Sequence, residues 1–207
     1  TYEGVIHFSL SSEMSSAFAN AVAASKKFGG RVRVLDSRSL STGIALLAIY
    51  ASKLAAEGES LGAVAEKCAK RIPYVQAGFV LERLDYLYKG GRCSSLAYFG
   101  ANLLKLRPQI LVIDGKMGAA KKYRGKIESA VRSYCADTLE RFDNPDLEVG
   151  FLTYTTATEG MLEEARKALK ARGFKNIYET RAGGTITSHC GEHCLGILYI
   201  NDGGKLS

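Results

Sequence analysis

The sequence predicts an α/β protein with two lobes, an N-terminal lobe with a parallel sheet at residues 1–76 and a C-terminal lobe with a mixed sheet at residues 77–207. Three observations support this fold class. The chain has 207 residues, of which 46% are hydrophobic, and it can form one large core or two modest ones. Strand and helix patterns alternate in the first third, which is typical of parallel pairing. Further on, a hairpin signal at Asp114 and Gly115 predicts antiparallel strands.

The N-terminal lobe begins with a short apolar strand at residues 5–8, which we expect to be buried, and a serine-rich turn then leads into an amphipathic helix. A second strand follows at 32–35. Residues 43–54 are almost all apolar and predict a buried helix. Another helix with 3.6-residue periodicity ends before Pro73, and we place the junction between the lobes at 73–78.

The C-terminal lobe is predicted to contain six strands and four helices. In chain order these are a strand at 76–81, a helical turn at 84–89, a helix at 94–104, hairpin strands at 109–113 and 117–123, an amphipathic helix at 127–139, a strand at 149–154, a helix at 159–171, and strands at 177–180 and 195–201. Hairpin and crossover connections occur together, so the sheet should be mixed.

The charge of the chain is concentrated in one segment. The whole chain has 28 Lys and Arg residues against 21 Asp and Glu, a formal net charge of +7, and residues 105–126 alone hold seven basic residues and one acidic residue. Such a segment attracts anions. Nucleic acid, phosphate, a lipid headgroup and an acidic protein are the candidate partners.

The five cysteines are an odd number with no framework spacing, and no secretory leader precedes them, which predicts a cytoplasmic protein. The longest apolar run, at 44–51, is shorter than the ~20 residues that span a bilayer, so we predict no membrane span. Since the chain already reads as a strand within residues 1–9, we also expect that sequence precedes it.

Ser11 and Ser12 are the first candidate binding residues. They lie between the first strand and the start of the next helix, where free backbone N–H groups favour an anion. Their hydroxyls would complete a cradle for a carboxylate or a phosphate. The alternative is that one of them only caps the helix.

Two arginines are candidates for contact with an anion or a partner. Arg92 follows Gly90 and Gly91, and a glycine turn could hold its guanidinium against an anion or simply end a helix. Arg124 lies on the far arm of the basic hairpin, where the alternative is an exposed face without a ligand.

Residues 188–194 form the densest polar cluster, with two of the three histidines and two of the five cysteines. A zinc site is disfavoured because its four ligands would crowd into six residues, so we predict no metal. A Cys190 nucleophile activated by His189 is disfavoured because adjacent side chains on a strand point to opposite faces.

Taken in order, these residues resemble the DegV family of fatty-acid-binding proteins, which includes the B subunit of bacterial fatty acid kinase. The similar segments are SSEMSSAFANA at 11–21, VLDS at 34–37, STG at 41–43, the stretch around KGGR at 81–94, RPQIL at 107–111, DGK at 114–116, KYR at 122–124 and HCG at 189–191. They cover nearly the whole chain.

This resemblance implies a non-catalytic protein that holds one long-chain fatty acid in a tunnel between the lobes, with no other cofactor. Ser11, Ser12 and His189 would bind the carboxylate, and a separate ATP-dependent fatty acid kinase would phosphorylate it. Arg92 and Arg124 would contact the partner or an anion. As guesses from the central segment, the residues lining the acyl tail are Phe79, Leu96, Phe99 and Leu103.

The chain departs from the family pattern in two places. The family's Thr-Ser-Gln-Pro segment has no counterpart here, and its His-Thr-Gly-Pro-Gly reads HCGEH at 189–193. Glu192 would repel a carboxylate unless it points away. Two alternatives stay open: a nucleic-acid-binding module using residues 105–126, which we favour less, and a thiol or metal enzyme at 189–194.

Overall fold

The computed structural model of the chain describes residues 4–91 and 106–206. The helices are α1 (Ala17–Ser25), α2 (Thr42–Ala56), α3 (Leu61–Arg71), α4 (Asp85–Lys89), α5 (Ile127–Arg141), α6 (Glu159–Arg172) and α7 (Gly184–Cys190). The strands are β1 (Val5–Ser9), β2 (Val32–Asp36), β3 (Val75–Gln76), β4 (Gly78–Val80), β5 (Leu106–Ile113), β6 (Lys116–Arg124), β7 (Val149–Tyr154), β8 (Asn176–Arg181) and β9 (Leu195–Ile200).

The N-terminal unit, as we call β1, β2 and α1–α3, has the predicted parallel pairing, with Val5 opposite Val32. Ile6 and Phe8 pack against α2 and α3 around Tyr50. Val5 is 54% exposed, so β1 is half-buried and not buried as predicted. The reason is that alternate side chains of a strand turn away from the helices that cover it.

The C-terminal unit, β3–β9 with α4–α7, is built on one mixed sheet in the order β6-β5-β4-β9-β7-β8, and β3 pairs with β9. The β7–β8 pair is parallel and the other pairs are antiparallel, so the predicted mixed sheet is confirmed. Asp114 and Gly115 form the tight β5–β6 turn with φ of 50° and 80°, as the hairpin signal predicts.

The two faces of this sheet are covered differently. α5 and α6 pack on the outer face, where Tyr134 and Leu152 belong to the largest apolar cluster. The inner face carries Ala77, Phe151 and Leu198, which pack with Leu46 of α2. The inner face is therefore the surface on which the N-terminal unit rests.

α4 and α7 cover the end of the inner face next to the hairpin. Leu87 of α4 and Cys190 of α7 share a buried cluster with Phe79 and Ile110 of the sheet. The sequence analysis did not predict α7, because the polar cluster at 188–194 was interpreted as extended chain. The helix predicted at 94–104 lies outside the described residues.

A buried ion pair ties the two units together. The Arg71 guanidinium at the end of α3 donates to Asp202 at 2.7 and 2.9 Å and to Asp146 at 2.6 Å. It also lies 4.5 Å from the ring centre of Tyr50. Breaking such a buried pair costs about 3–5 kcal/mol, so Arg71 fixes how the units sit against each other.

Candidate functional site

A narrow apolar cavity lies between the N-terminal unit and the inner face of the sheet. Its walls include Leu40 before α2, Phe79 of β4, Ile186 of α7 and Leu198 of β9. The cavity volume is only about 30 Å³, so its walls must move apart to admit a ligand larger than a water molecule. The mostly apolar lining suits an apolar ligand.

A few hydroxyl groups interrupt the apolar wall, at Ser41, Thr153 and Thr155. Thr153 Oγ1 lies 2.6 Å from Thr42 Oγ1 and 2.9 Å from Thr180 Oγ1. These three threonines form a hydroxyl chain that joins α2 to β7 and β8. The chain satisfies the Thr153 hydroxyl inside the protein, so this polar group adds little cost to an apolar cavity.

The thiols of Cys190 and Cys194 also line the cavity, and each residue is 5% exposed. A hydrogen bond with Cys190 and burial together raise the pKa of the Cys194 thiol well above its ordinary value. A nucleophilic cysteine needs a lowered pKa instead. Moreover, Cys190 and His189 are adjacent on a helix and not on a strand, and adjacent helical side chains do not face each other either.

His189 lies in the last turn of α7, three residues after the cavity residue Ile186, and is half-buried. Its ring packs so closely on Gly90, at the end of α4, that a methyl group at Gly90 would overlap it. Gly90 has φ of −70°, which any residue adopts, so the missing side chain is what matters here. In the same contact between α4 and α7, the Tyr86 ring packs closely on Gly191. Glycine at position 90 thus leaves the space that the imidazole fills.

Ser11 lies in the contact between the two units, Ser12 bonds within the N-terminal unit, and neither serine lines the apolar cavity. Ser11 is fully buried, and its hydroxyl donates to the Gly115 carbonyl oxygen at 2.8 Å. Ser12 is exposed, and its hydroxyl donates to Asp36 Oδ2 at 2.5 Å. Within residues 4–91 and 106–206, no hydrogen bond joins either serine to His189. Their role as carboxylate ligands stays a prediction.

Neither of these serines caps α1, which was the alternative interpretation. α1 begins at Ala17, so Ser16 is the residue that precedes it, and the Ser16 side chain makes no capping hydrogen bond. Residues 12–14 form a turn before the helix, and the Glu13 N–H donates to the Ser11 hydroxyl at 3.3 Å.

Three residues of HCGEH depart from the family pattern; Cys190 lines the cavity, whereas Glu192 and His193 do not. Glu192 is exposed. His193, with φ of 51°, makes a short hydrogen bond through Nδ1 to the Glu82 carboxylate, and its N–H donates to Thr156 Oγ1 at 3.1 Å. Neither side chain is part of the cavity wall.

The basic hairpin is exposed but partly neutralised. Lys116 Nζ lies 3.3 Å from Glu13, and Lys121 Nζ lies 3.0 Å from Asp137. Arg124 is exposed at the end of β6 and forms no ion pair with the described residues. Its predicted contact with an anion or a partner stays open.

Four predicted residues cannot be placed. Arg92, Leu96, Phe99 and Leu103 lie outside the described residues. Phe79 is the one predicted tail-lining residue that the structure describes, and it lies on the cavity wall.

Arg38 is a charged residue in the contact between the units that the sequence analysis did not single out. Its guanidinium makes a short hydrogen bond to the Asp114 carbonyl oxygen, and its own φ is 51°. The arginine follows the Asp36-Ser37 pair and comes shortly before the Ser41-Thr42-Gly43 segment, both noted in the sequence. That position was the signal available, but a left-handed backbone at a non-glycine residue cannot be foreseen from residue type.

Across the described ranges, no group of three or more His, Cys, Asp or Glu side chains could hold a metal ion. In the same ranges, no helix has both the length and the hydropathy needed to cross a bilayer.

Comparison with known proteins gives the family. The model of the DegV family, described as a family of uncharacterised proteins, matches residues 1–202. A DegV domain-containing protein of Caldanaerobacter subterraneus is 29% identical over 203 residues, which are 96% of this chain and 71% of that protein.

Solved structures show the same fold. A Thermotoga maritima protein described as revealing a fatty acid binding function is 26% identical with a TM-score of 0.81, and the match covers 96% of this chain and 70% of that one. The Streptococcus pneumoniae fatty acid kinase (Fak) B3 protein, loaded with linoleic acid, is 19% identical with a TM-score of 0.84 over 97% and 72% of the two chains. The family match spans nearly the whole sequence, so this chain belongs to the DegV family.

Proposed function

We propose that this protein binds one long-chain fatty acid, with the acyl tail in the cavity between the two units. The observation that carries the proposal is the narrow cavity with walls formed by Leu40, Phe79, Ile186 and Leu198. Each methylene group buried there contributes roughly 0.8 kcal/mol before entropy losses. The fatty acid is the only small-molecule ligand that we propose, without a further cofactor.

The carboxylate needs hydrogen-bond donors, because a buried charge is costly unless charge-assisted hydrogen bonds replace its water. We assign this role to Ser11, Ser12 and His189. His189 adjoins the cavity through α7, and the backbone N–H of Ser11 donates to the Ser39 carbonyl at 3.0 Å, one residue before the cavity residue Leu40. The Ser11 backbone therefore contacts the loop that also carries the cavity residue Leu40.

We further propose that the protein performs no chemistry itself and presents the bound carboxylate to a separate kinase, which would transfer phosphate from ATP. The support is the shared fold with the Streptococcus pneumoniae fatty acid kinase (Fak) B3 protein. Arg124, exposed at the end of β6, and Arg92 are the residues we assign to contact with the partner. The four described cysteines are all free, which supports the cytoplasm as its compartment.

The alternative functions have less support. A hydrogen bond with Cys190 and burial raise the pKa of the Cys194 thiol, which disfavours a thiol enzyme that uses Cys194 as its nucleophile. The hairpin lysines Lys116 and Lys121 already pair with acidic side chains, which lowers the charge offered to a nucleic acid. We therefore keep a single proposed function.

The decisive experiment is native mass spectrometry of protein purified from cells without detergent. A bound mass of ~250–300 Da, the size of a long-chain fatty acid, is expected, and organic extraction should release that acid. If the gently handled protein shows only the mass of the bare chain and then fails to bind added hexadecanoic acid, the proposal is wrong.

A further inference from the structure

The turn between β5 and β6 reaches across to the N-terminal unit and occupies two hydrogen-bond donors there. The carbonyl oxygen of Gly115 accepts the Ser11 hydroxyl proton at 2.8 Å, and the carbonyl oxygen of Asp114 accepts a short hydrogen bond from Arg38 Nη2. Two oxygen acceptors are also what a carboxylate offers. The turn thus fills the donors in the way a ligand headgroup would.

The Ser11 contact cannot coexist with a ligand at the same atom. A serine hydroxyl has one proton to donate, and this one goes to Gly115. The oxygen also accepts from the Glu13 N–H at 3.3 Å, and the residue has no exposed surface. Consequently a carboxylate binds Ser11 only after the turn has moved away.

Arg38 lies beside the same turn and is positioned by two acidic side chains of the N-terminal unit. Its N–H donates to Asp36 Oδ1 at 3.0 Å, and Nη1 lies 3.4 Å from Glu13 Oε1. The side chain is 38% exposed. Arg38, Asp114 and Gly115 together line a second cavity of about 350 Å³, which has room for a headgroup beside the turn.

The exchange of partners is favourable for charge reasons. The turn offers Arg38 a neutral carbonyl oxygen, whereas a carboxylate would form a charge-assisted pair, which is the stronger interaction. The other charges nearby are the carboxylates of Glu13, Asp36 and Asp114 and the ammonium of Lys116, which is 3.3 Å from Glu13. Asp114 and Lys116 belong to the turn or adjoin it and move with it, so Arg38 is the cation that stays to pair with a carboxylate.

We propose that the Asp114–Gly115 turn is a latch that holds Ser11 and Arg38 in the empty protein and is displaced by the carboxylate of the ligand. This inference rests on the proposed function and adds Arg38 to the residues that bind the headgroup. Ligand binding and release of the turn from the N-terminal unit are then one coupled event.

The test changes each side of the latch separately. Gly115→Asn keeps a residue that tolerates the left-handed turn, but its side chain cannot fit against Ser11 and Arg38, so the turn is weakened as a competitor. Arg38→Gln weakens the donor that the ligand needs. For hexadecanoic acid we expect about fivefold tighter binding for Gly115→Asn and about tenfold weaker binding for Arg38→Gln.

If affinity for hexadecanoic acid rises in Gly115→Asn and falls in Arg38→Gln, the turn and the ligand compete for the same donors. If the contact were merely structural, both variants would change affinity in the same direction. Lys121→Gln, on β6 but outside the latch, is the control and should bind as the unchanged protein does. The gain of Gly115→Asn should vanish with 1-hexadecanol, which has no carboxylate. Weaker binding of hexadecanoic acid in both variants, or an equal gain in affinity for 1-hexadecanol, would overturn the latch but not the proposed function. If no variant binds either lipid, the proposed function fails as well.

Discussion

Filling the cavity between the two units is the sharpest test of the position that we propose for the acyl tail. Ala182, in the link between β8 and α7, lines the cavity, and its N–H donates to the Tyr154 carbonyl at 2.7 Å, which fixes the backbone there. Ala182→Leu adds three carbon atoms to a cavity of only about 30 Å³. Displacing three methylene groups of the ligand costs about 2.4 kcal/mol, a loss of roughly 50-fold in affinity.

The assay is displacement of a fluorescent polyene fatty acid by hexadecanoic acid, with thermal unfolding as the check on folding. Ala171→Leu, at an exposed position of α6, adds the same atoms and should change nothing. A shorter acid leaves room for the new side chain, so dodecanoic acid should lose less affinity than hexadecanoic acid. A folded Ala182→Leu protein that binds both acids as tightly as before would refute the location of the tail.

Three further predictions concern the site and its support. Gly90→Ala should displace the His189 ring, which would weaken binding of hexadecanoic acid by about tenfold and shift the His189 ring resonances in NMR spectra. The control is Gly62→Ala, in open space on α3, which should cause none of these changes. Unchanged binding in Gly90→Ala would mean that the Gly90 contact does not position the imidazole. Arg71→Met should lower the free energy of unfolding in urea by about 3–5 kcal/mol because it leaves Asp202 buried and unpaired, and a loss below about 1 kcal/mol would contradict this. Burial raises the pKa of the Cys68 thiol to about 11, so the stability that the protonated thiol contributes is complete below the ordinary thiol pKa near 9 and is lost as the pH rises towards 11. Between pH 8 and pH 11 the free energy of unfolding should therefore fall by about 2–3 kcal/mol less in Cys68→Ala than in the unchanged protein. Parallel pH profiles of the two proteins would contradict this.

The parts of the fold that the sequence predicted well are those set by local chemistry. The apolar run at 43–54 forms most of α2 as predicted, and Leu46, Leu47 and Tyr50 are buried. The prediction that the whole helix is buried was wrong, because Ile49 is 39% exposed on the other side of α2. Asp114 and Gly115 form the hairpin turn because both residues tolerate a positive φ. In each case the signal lies within the element itself.

α7 was missed because its local signal is weak. The segment begins with two glycines and continues with mostly polar residues, and only Ile186 and Cys190 follow a helical spacing of four. That pair is the part of the helix that faces the cavity. A cluster of histidines and cysteines suggests chemistry more readily than packing, so the spacing was overlooked.

The candidate site was predictable in its residue types but not in its partners. Ser11 was chosen as a donor for an anion, and it is a donor here, but its acceptor is the carbonyl of a residue 104 positions away. Arg71 looks like an ordinary basic residue at the end of a helix, yet its partners Asp146 and Asp202 are 75 and 131 positions away. Residue type determines what a group can bind, whereas the packing of distant segments determines what it does bind. For Ser11 the difference bears on the proposed function, because the acceptor contributed by the fold fills the place that we propose for the ligand carboxylate.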